Sequence, residues 1–409
     1  MMELKIDGDE ILSRIHELGQ AGIGEDGRRI RLAASNTDKA GRDMVVGWMK
    51  KAGLKVVIDH IGNIFGIWET EENRNEKPVM TGSHIDTVID AGQYDGCLGV
   101  ISGIEVIRTL KDAGMKTKRP MIVGVFTNEE GVRYSPDMMG SLVYAGGLST
   151  KAALASRGID GTVLGDELKR IGYAGTAEPG FIIPEDFVEL HIEQGPIMYA
   201  EDVQIGAVEK LQGIHWQKVT IKGDANHAGT TPIKMRHDAG LAAAKINVYA
   251  RELVEKSGGV ATVGTIEFKP NAVNVIPNKA VFTIDLRSPD KEKLDSDEQK
   301  LSDYMNSLEQ TDGVKVTQER MTCFDPVDFD EGICRMIEAV CKDHGFSCRR
   351  MVSGAGQDAQ MIARICPTAM IFVPSVNGIS HNPKEFTPDD AVKNGAAVLL
   401  EVLFKLAQQ

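Results

Sequence analysis

The chain has 409 residues, 42% hydrophobic and 26% charged, the balance of a soluble globular protein long enough for two or three domains without disulfide staples. Its 46 basic and 59 acidic residues leave a net charge of −13, which excludes an electrostatic grip on nucleic acid or anionic lipid. No apolar stretch reaches the roughly 18–20 residues that span a bilayer, and the opening segment lacks the apolar region of a secretory signal. The six cysteines form no CxxC pair, a usage that fits a reduced compartment, so the expected location is the cytoplasm.

The first 210 residues alternate helical and strand patterns. Asp38–Leu54 reads as an amphipathic helix, with Met44, Val45, Trp48 and Met49 at helical spacing. Apolar runs at Lys55–Ile58, Asn63–Trp68, Pro78–Thr81, Met121–Phe126 and Phe187–Ile192 read as strands, and Cys97–Ala113 as a helix. Helices interleaved with apolar strands predict an α/β domain whose central mixed sheet is covered on both faces. From Gly213 the order becomes strand His215–Lys222, helix Asp238–Lys256, strands Val260–Phe268 and Ala280–Arg287, helix Asp290–Glu309 and strand Val314–Glu319. This β-α-β-β-α-β order predicts a ferredoxin-like domain inserted into the first. The expected division is a catalytic domain of residues 1–212 and 328–409, interrupted by a lid and dimerisation domain of residues 213–327.

Four clusters of ligand-type residues follow apolar strands. They are His84 with Asp86 and, nine residues on, Asp95; Glu129-Glu130; His191 with Glu193 and Gln194; and Ser380-His381. Strand ends are where open α/β sheets build their sites. Asp86 is placed to hold the His84 imidazole through its second nitrogen. Taken singly, a strand-end histidine is as readily a hydrogen-bonded structural residue, and adjacent glutamates a solvated surface. Together, oxygen and imidazole donors without sulfur suit two divalent ions bridged by one carboxylate. No phosphate loop is present, and Gly354-Ala355-Gly356 lacks the third glycine of a dinucleotide fingerprint.

The segments GSHIDTV, QYDGCLGV, TNEEGVRY, ELHIEQGP, GDANHAGTTPIKMRHDAG, NVIPNKAVFTIDLRSPD, SGAGQDA and SHNPKEFT occur in an order and spacing that resemble the hydantoinase/carbamoylase amidases. That group includes allantoate amidohydrolase, N-carbamoyl-L-amino-acid hydrolase and β-ureidopropionase, within the aminoacylase and carboxypeptidase G clan of dinuclear metal hydrolases. The resemblance implies two divalent metal ions per subunit, zinc or else manganese, cobalt or nickel. His84, Asp95 and His191 would surround one ion, and Asp95, Glu130 and His381 the other. It implies Glu129 as general base and His227 as oxyanion stabiliser, reaching across from the partner subunit of a homodimer. Gln194, Asn274, Arg287, Gly356 and Gln357 would contact a small substrate, with Asn274 and Arg287 on its free carboxylate. The implied reaction is hydrolysis of a linear C–N bond in an N-carbamoyl acid or allantoate, releasing ammonia and carbon dioxide. The rival readings are an N-acyl-amino-acid deacylase or dipeptidase of the same clan, and a non-catalytic binding protein on its scaffold. One departure stands out: the family usually has histidine where this chain has Gln357, which keeps a hydrogen-bonding end but cannot titrate near neutrality.

Overall fold

The computed structural model describes residues 4–409, which divide into two compact units, one formed by the chain up to Glu209 and from Phe329 onward, the other by Lys210–Asp328. In the first unit a mixed sheet runs in the order Lys55–Ile58, Ile64–Trp68, Met121–Phe126, Val79–His84, Asp186–Ile192, Thr368–Val373 and Ile205–Leu211, with Cys348–Ser353 paired to the last. Met121–Phe126, Val79–His84, Asp186–Ile192 and Thr368–Val373 are mutually parallel, so their carboxyl ends lie along one edge. Every residue of these four strands is buried. Because successive side chains point to opposite faces, that pattern means both faces are covered.

Part of the cover is the helix Cys97–Asp112, whose apolar residues run almost all the way round, as a core helix requires. Asn36–Lys51 starts at Ser35, whose side chain accepts the amide of Asp38 and caps the first turn. Asp38 in turn pairs with Arg42 in a fully buried ion pair at 2.7 Å. Arg42 also donates to the carbonyl of Gly62 and the hydroxyl of Thr127, so its charge is satisfied on all sides.

The second unit is a five-stranded antiparallel sheet in the order Lys315–Phe324, Gly213–Lys222, Lys279–Ser288, with Val260–Thr262 and Ile266–Lys269 side by side along the last. Helices Ala239–Ser257 and Lys291–Thr311 pack on it, and Val219, Ile221, Phe282, Ile284, Ile246, Leu301 and Met305 form its core. From His215 onward strand Gly213–Lys222 alternates buried with more exposed positions, the mark of a sheet with one covered face.

Two expected strands differ most, while the strand expected at Pro78–Thr81 runs on to His84 and the helix expected at Asp38–Leu54 spans Asn36–Lys51. The run Val260–Phe268 is broken at Val263–Thr265, where Gly264 contributes no side chain to hold a strand; pairing resumes as Thr283 donates to the carbonyl of Thr265. The last strand continues to Phe324 instead of ending at Glu319, because its partner Gly213–Lys222 offers a pairing edge that far, with one irregularity after Arg320. None of the described helices is long and apolar enough to cross a membrane.

Candidate metal centre

Each parallel strand delivers a polar group at its carboxyl end, all within the first unit. His84 is the final residue of its strand, one step earlier than a residue following the strand. Its Nδ1 hydrogen-bonds the main-chain carbonyl of Asp86 at 3.0 Å, so Nε2 is the nitrogen turned inward. His191 is held alike, with Nδ1 on the carbonyl of Ile192 at 2.9 Å and Nε2 accepting the amide of Gly96 at 3.2 Å. A carbonyl on Nδ1 fixes each ring in the tautomer whose Nε2 carries a lone pair. The two rings lie 6.0 Å apart and nearly parallel.

Asp95 sits between them in the loop that opens helix Cys97–Asp112. Its Oδ1 is 3.2 Å from His191 Nε2 and 3.6 Å from His84 Nε2. Its Oδ2 faces the other way, 3.4 Å from His381 Nε2, which is itself 3.5 Å from Glu130 Oε2. Glu129 Oε2 lies 3.4 Å from His84 Nε2. Donor atoms of His84, Asp95 and His191, of Asp95, Glu130 and His381, and of His84, Glu129 and Glu130 therefore form three groups, each within 4.8 Å.

The expectation for Asp86 needs correction. Its backbone carbonyl holds His84, while its carboxylate is 3.9 Å from that ring and instead accepts the amides of Glu129 at 3.2 Å and Glu130 at 3.3 Å. One buried residue thus orients the His84 imidazole with one group and the glutamate pair with another. The glutamates turn inward because Asn128 before them takes a left-handed conformation, its side chain tied to the carbonyls of Tyr134 and Pro136.

The electrostatics are those of crowded anions. Burial pushes Glu129 well above the ordinary glutamate value, and burial with the nearby Asp95 charge raises Glu130 to about 8. Burial would also raise Asp95, but the imidazoles of His191, His381 and His84 gathered around it hold it well below the usual carboxylate range. The hydrogen bond to Asp95 lifts His381 to about 9. His84 Nε2 is fully buried and has no hydrogen-bond partner. A buried acceptor facing three carboxylates lacks a positive centre, and a hard-donor set of this kind fits divalent cations.

Gln194 and Gln357 join the cluster: Gln357 Nε2 donates to Gln194 Oε1 at 2.7 Å, and Gln194 Nε2 to Asp95 Oδ2 at 2.9 Å. Gly356 lies beside them, where a Cβ would meet the Met138 methyl at 2.9 Å. Glu385 went unnoticed in the sequence. It is buried, accepts the amides of Tyr94 and Asp95 at 3.0 and 3.3 Å, and receives Ser380 Oγ at 3.1 Å, so it ties the His381 segment to the Asp95 loop. Little local marks it, since the two amides it accepts lie about 290 positions away along the chain.

The remaining site candidates lie in the second unit. His227 and Asn274 are exposed on neighbouring loops joined by the Ala228 amide on the Asn274 carbonyl. His227 Nδ1 accepts the amides of Gly229 and Thr230, leaving Nε2 as the donor end. Arg287 is half-buried with its guanidinium on Asp285, at 2.8 Å from Nη2, so a carboxylate already occupies part of the fork assigned to substrate.

A mixed α/β sheet with imidazoles and carboxylates gathered at its parallel strand ends is the setting in which metal-dependent hydrolases build their sites, and here it offers candidate metal-ligand groups. Residues 80–405 match the peptidase family M20/M25/M40. Over 99% of its length the chain is 38% identical to an N-carbamoyl-L-amino-acid amidohydrolase of Rhizobium meliloti, covering 97% of that protein. It is 34% identical to an allantoate amidohydrolase of Bacillus subtilis, with 98% of each covered. A solved hydantoinase/carbamoylase family amidase from Burkholderia multivorans superposes with a TM-score of 0.95 at 38% identity, with 99% of each chain covered. The chain belongs to the M20/M25/M40 family, among its hydantoinase/carbamoylase amidases. It is a hydrolase of linear amide C–N bonds, in a family whose members are generally metal-dependent.

Proposed function

We propose that this chain hydrolyses an N-carbamoyl (ureido) acid bearing a free carboxylate, an N-carbamoyl-L-amino acid or allantoate, releasing the amine, ammonia and carbon dioxide. The observation that carries the reading is the double-faced Asp95, with one oxygen toward His84 and His191 and the other toward His381 beside Glu130. His84, Asp95 and His191 would hold one divalent ion, and Asp95, Glu130 and His381 a second, zinc or else manganese, cobalt or nickel. Such a pair of ions supplies polarisation of the scissile carbonyl and lowers the pKa of water toward neutrality.

The chain's own residues do the rest. Glu129 belongs to neither of these two ligand sets, and its raised proton affinity suits a base that takes a proton from the attacking water at Oε2 and returns it to the leaving nitrogen. His227, with Nδ1 occupied by two amides, presents Nε2–H to the developing oxyanion. Arg287 and Asn274 hold the substrate carboxylate, the guanidinium serving both it and Asp285. Gln194 and Gly356 line the reacting group. The second unit serves as lid and as the contact of a homodimer. Leu241 and Val248 on one of its helices, with Val260 and Ile266 on its strands, are about half exposed and supply apolar surface for that contact. The enzyme acts in the cytoplasm, consistent with six free cysteines.

The test is ammonia release by the manganese- or zinc-reconstituted protein from allantoate, N-carbamoyl-L-amino acids, N-carbamoyl-β-alanine and matching N-acetyl amino acids. Ammonia from one ureido acid supports the reading and names the substrate. Cleavage of an acetyl compound, with no ammonia from any ureido acid, refutes it in favour of a deacylase.

A further inference from the structure

Three side chains stand in a line whose hydrogen bonds all point one way. Asp95 Oδ2 belongs to a carboxylate, which only accepts, so the Gln194 amide must turn its NH2 end toward it, as observed at 2.9 Å. The carbonyl end of Gln194 then necessarily faces Gln357, and only a donor at position 357 matches it. Gln357 meets that demand with Nε2 at 2.7 Å, from a side chain 1% exposed. The backbone of Gln194 is also constrained, left-handed with φ 57° and its amide on Ser375 Oγ.

We propose that Gln357 is a positioning residue that acts through Gln194 on the Asp95 carboxylate. This moves Gln357 one step back from the substrate contact its place in the sequence suggests. Its N–H locks the Gln194 amide against flipping. The locked NH2 then keeps Asp95 Oδ2 turned toward His381 and leaves Oδ1 for His84 and His191. Each bond in such a chain polarises the next, so the relay also draws charge from Oδ2, the oxygen turned toward His381. Histidine at this position also has a ring N–H to offer, whereas methionine has no donor and an ionised glutamate, the form favoured in an assay above about pH 8, only acceptors.

The inference rests on the proposed cation cluster, and the experiment separates the two. Cation affinity is measured by chelator competition, with zinc and with manganese, on the full chain and on Gln357→Met, Gln357→Glu and Gln357→His. Urea unfolding in the presence of EDTA serves as the folding control. Gln357→Met and Gln357→Glu should each bind about tenfold more weakly, the scale of losing an outer hydrogen bond to a ligand. Gln357→His should recover most of that loss, a rescue that a purely space-filling role would not give. If Gln357→Met does not fold, the comparison of Gln357→Glu with Gln357→His carries the same contrast. Affinities that ignore all three substitutions, or a histidine variant as weak as glutamate, overturn the relay alone. A wild-type chain that binds neither cation overturns both the relay and the metal reading.

Discussion

Gly96 lies between the two inner imidazoles, and replacing it tests whether their spacing is what makes the site. Its amide donates to His191 Nε2, while a Cβ on its α-carbon would fall 2.5 Å from both Cδ2 and Nε2 of His84 and 2.6 Å from Cε1. The whole outer edge of the ring is in the way, so no rotation about its own axis relieves the clash. Normal carbon contacts begin near 3.5 Å, so Gly96→Ala drives the imidazole outward by about 1 Å. Ligand distances in a functioning site hold to about 0.2 Å, so the displaced ring no longer serves as a donor in place. The backbone adds to the cost, because φ is 66° and a left-handed alanine is strained by about 1–2 kcal/mol. With about 1–3 kcal/mol for overpacking, the variant should lose about 2–5 kcal/mol of stability in urea unfolding. Its cation affinity should fall on the order of 100-fold in chelator competition, the upper end for losing an outer-shell partner. Stability within about 1 kcal/mol of wild type together with unchanged affinity, well below the spread expected of buried substitutions, would show that the site tolerates the shift and refute the reasoning.

Glu129→Gln should lower kcat by about 10²–10⁴-fold while cation content, read by metal analysis of the purified protein, stays near wild type; retained turnover would remove Glu129 as the base. Arg287→Ala should raise KM about 10- to 100-fold for carboxylate substrates and spare kcat, the loss of one charged hydrogen-bonding partner; an unchanged KM would mean that Asp285 keeps the guanidinium for itself. Asp186, at the start of its strand, is raised to about 6 by burial and the neighbouring Glu185. The native state therefore binds the extra proton between about pH 4 and pH 6, and stability falls as pH rises through that window. Asp186→Asn should flatten that dependence and add about 1–3 kcal/mol at pH 7 in denaturant unfolding; a slope that survives the substitution points to another group.

The parallel strands were legible because each is a short run with no polar interruption, and the groups at their ends because they break those runs abruptly. The oxygen and imidazole side chains that gather at the strand ends were visible in local order. The division of labour at Asp86 was not legible, since a carboxylate two residues from a histidine looks like its partner until the backbone shows the carbonyl nearer. Glu385 and the Gln357–Gln194–Asp95 line depend on segments that meet only after the sheet has formed. The break at Gly264 was readable in principle, as a glycine inside a strand pattern is a known warning. The continuation to Phe324 was not, because Arg320, Met321 and Cys323 do not alternate as a half-buried strand should; pairing with the neighbouring strand decides that end.

The sheet of the first unit has a delayed member. Thr368–Val373 lies between Asp186–Ile192 and Ile205–Leu211, pairing with one in parallel and the other antiparallel. Roughly 160 residues separate it from the nearer of these along the chain, which at about 5–20 residues per second means they leave the ribosome some 8–30 s before the strand that fills the gap. Through that interval two apolar strands present facing, unsatisfied edges, a seam that any other extended segment can enter. The nascent chain is thus most vulnerable to pairing with its own copies late in synthesis, and a slower-translated message lengthens the exposure while leaving the finished protein unchanged.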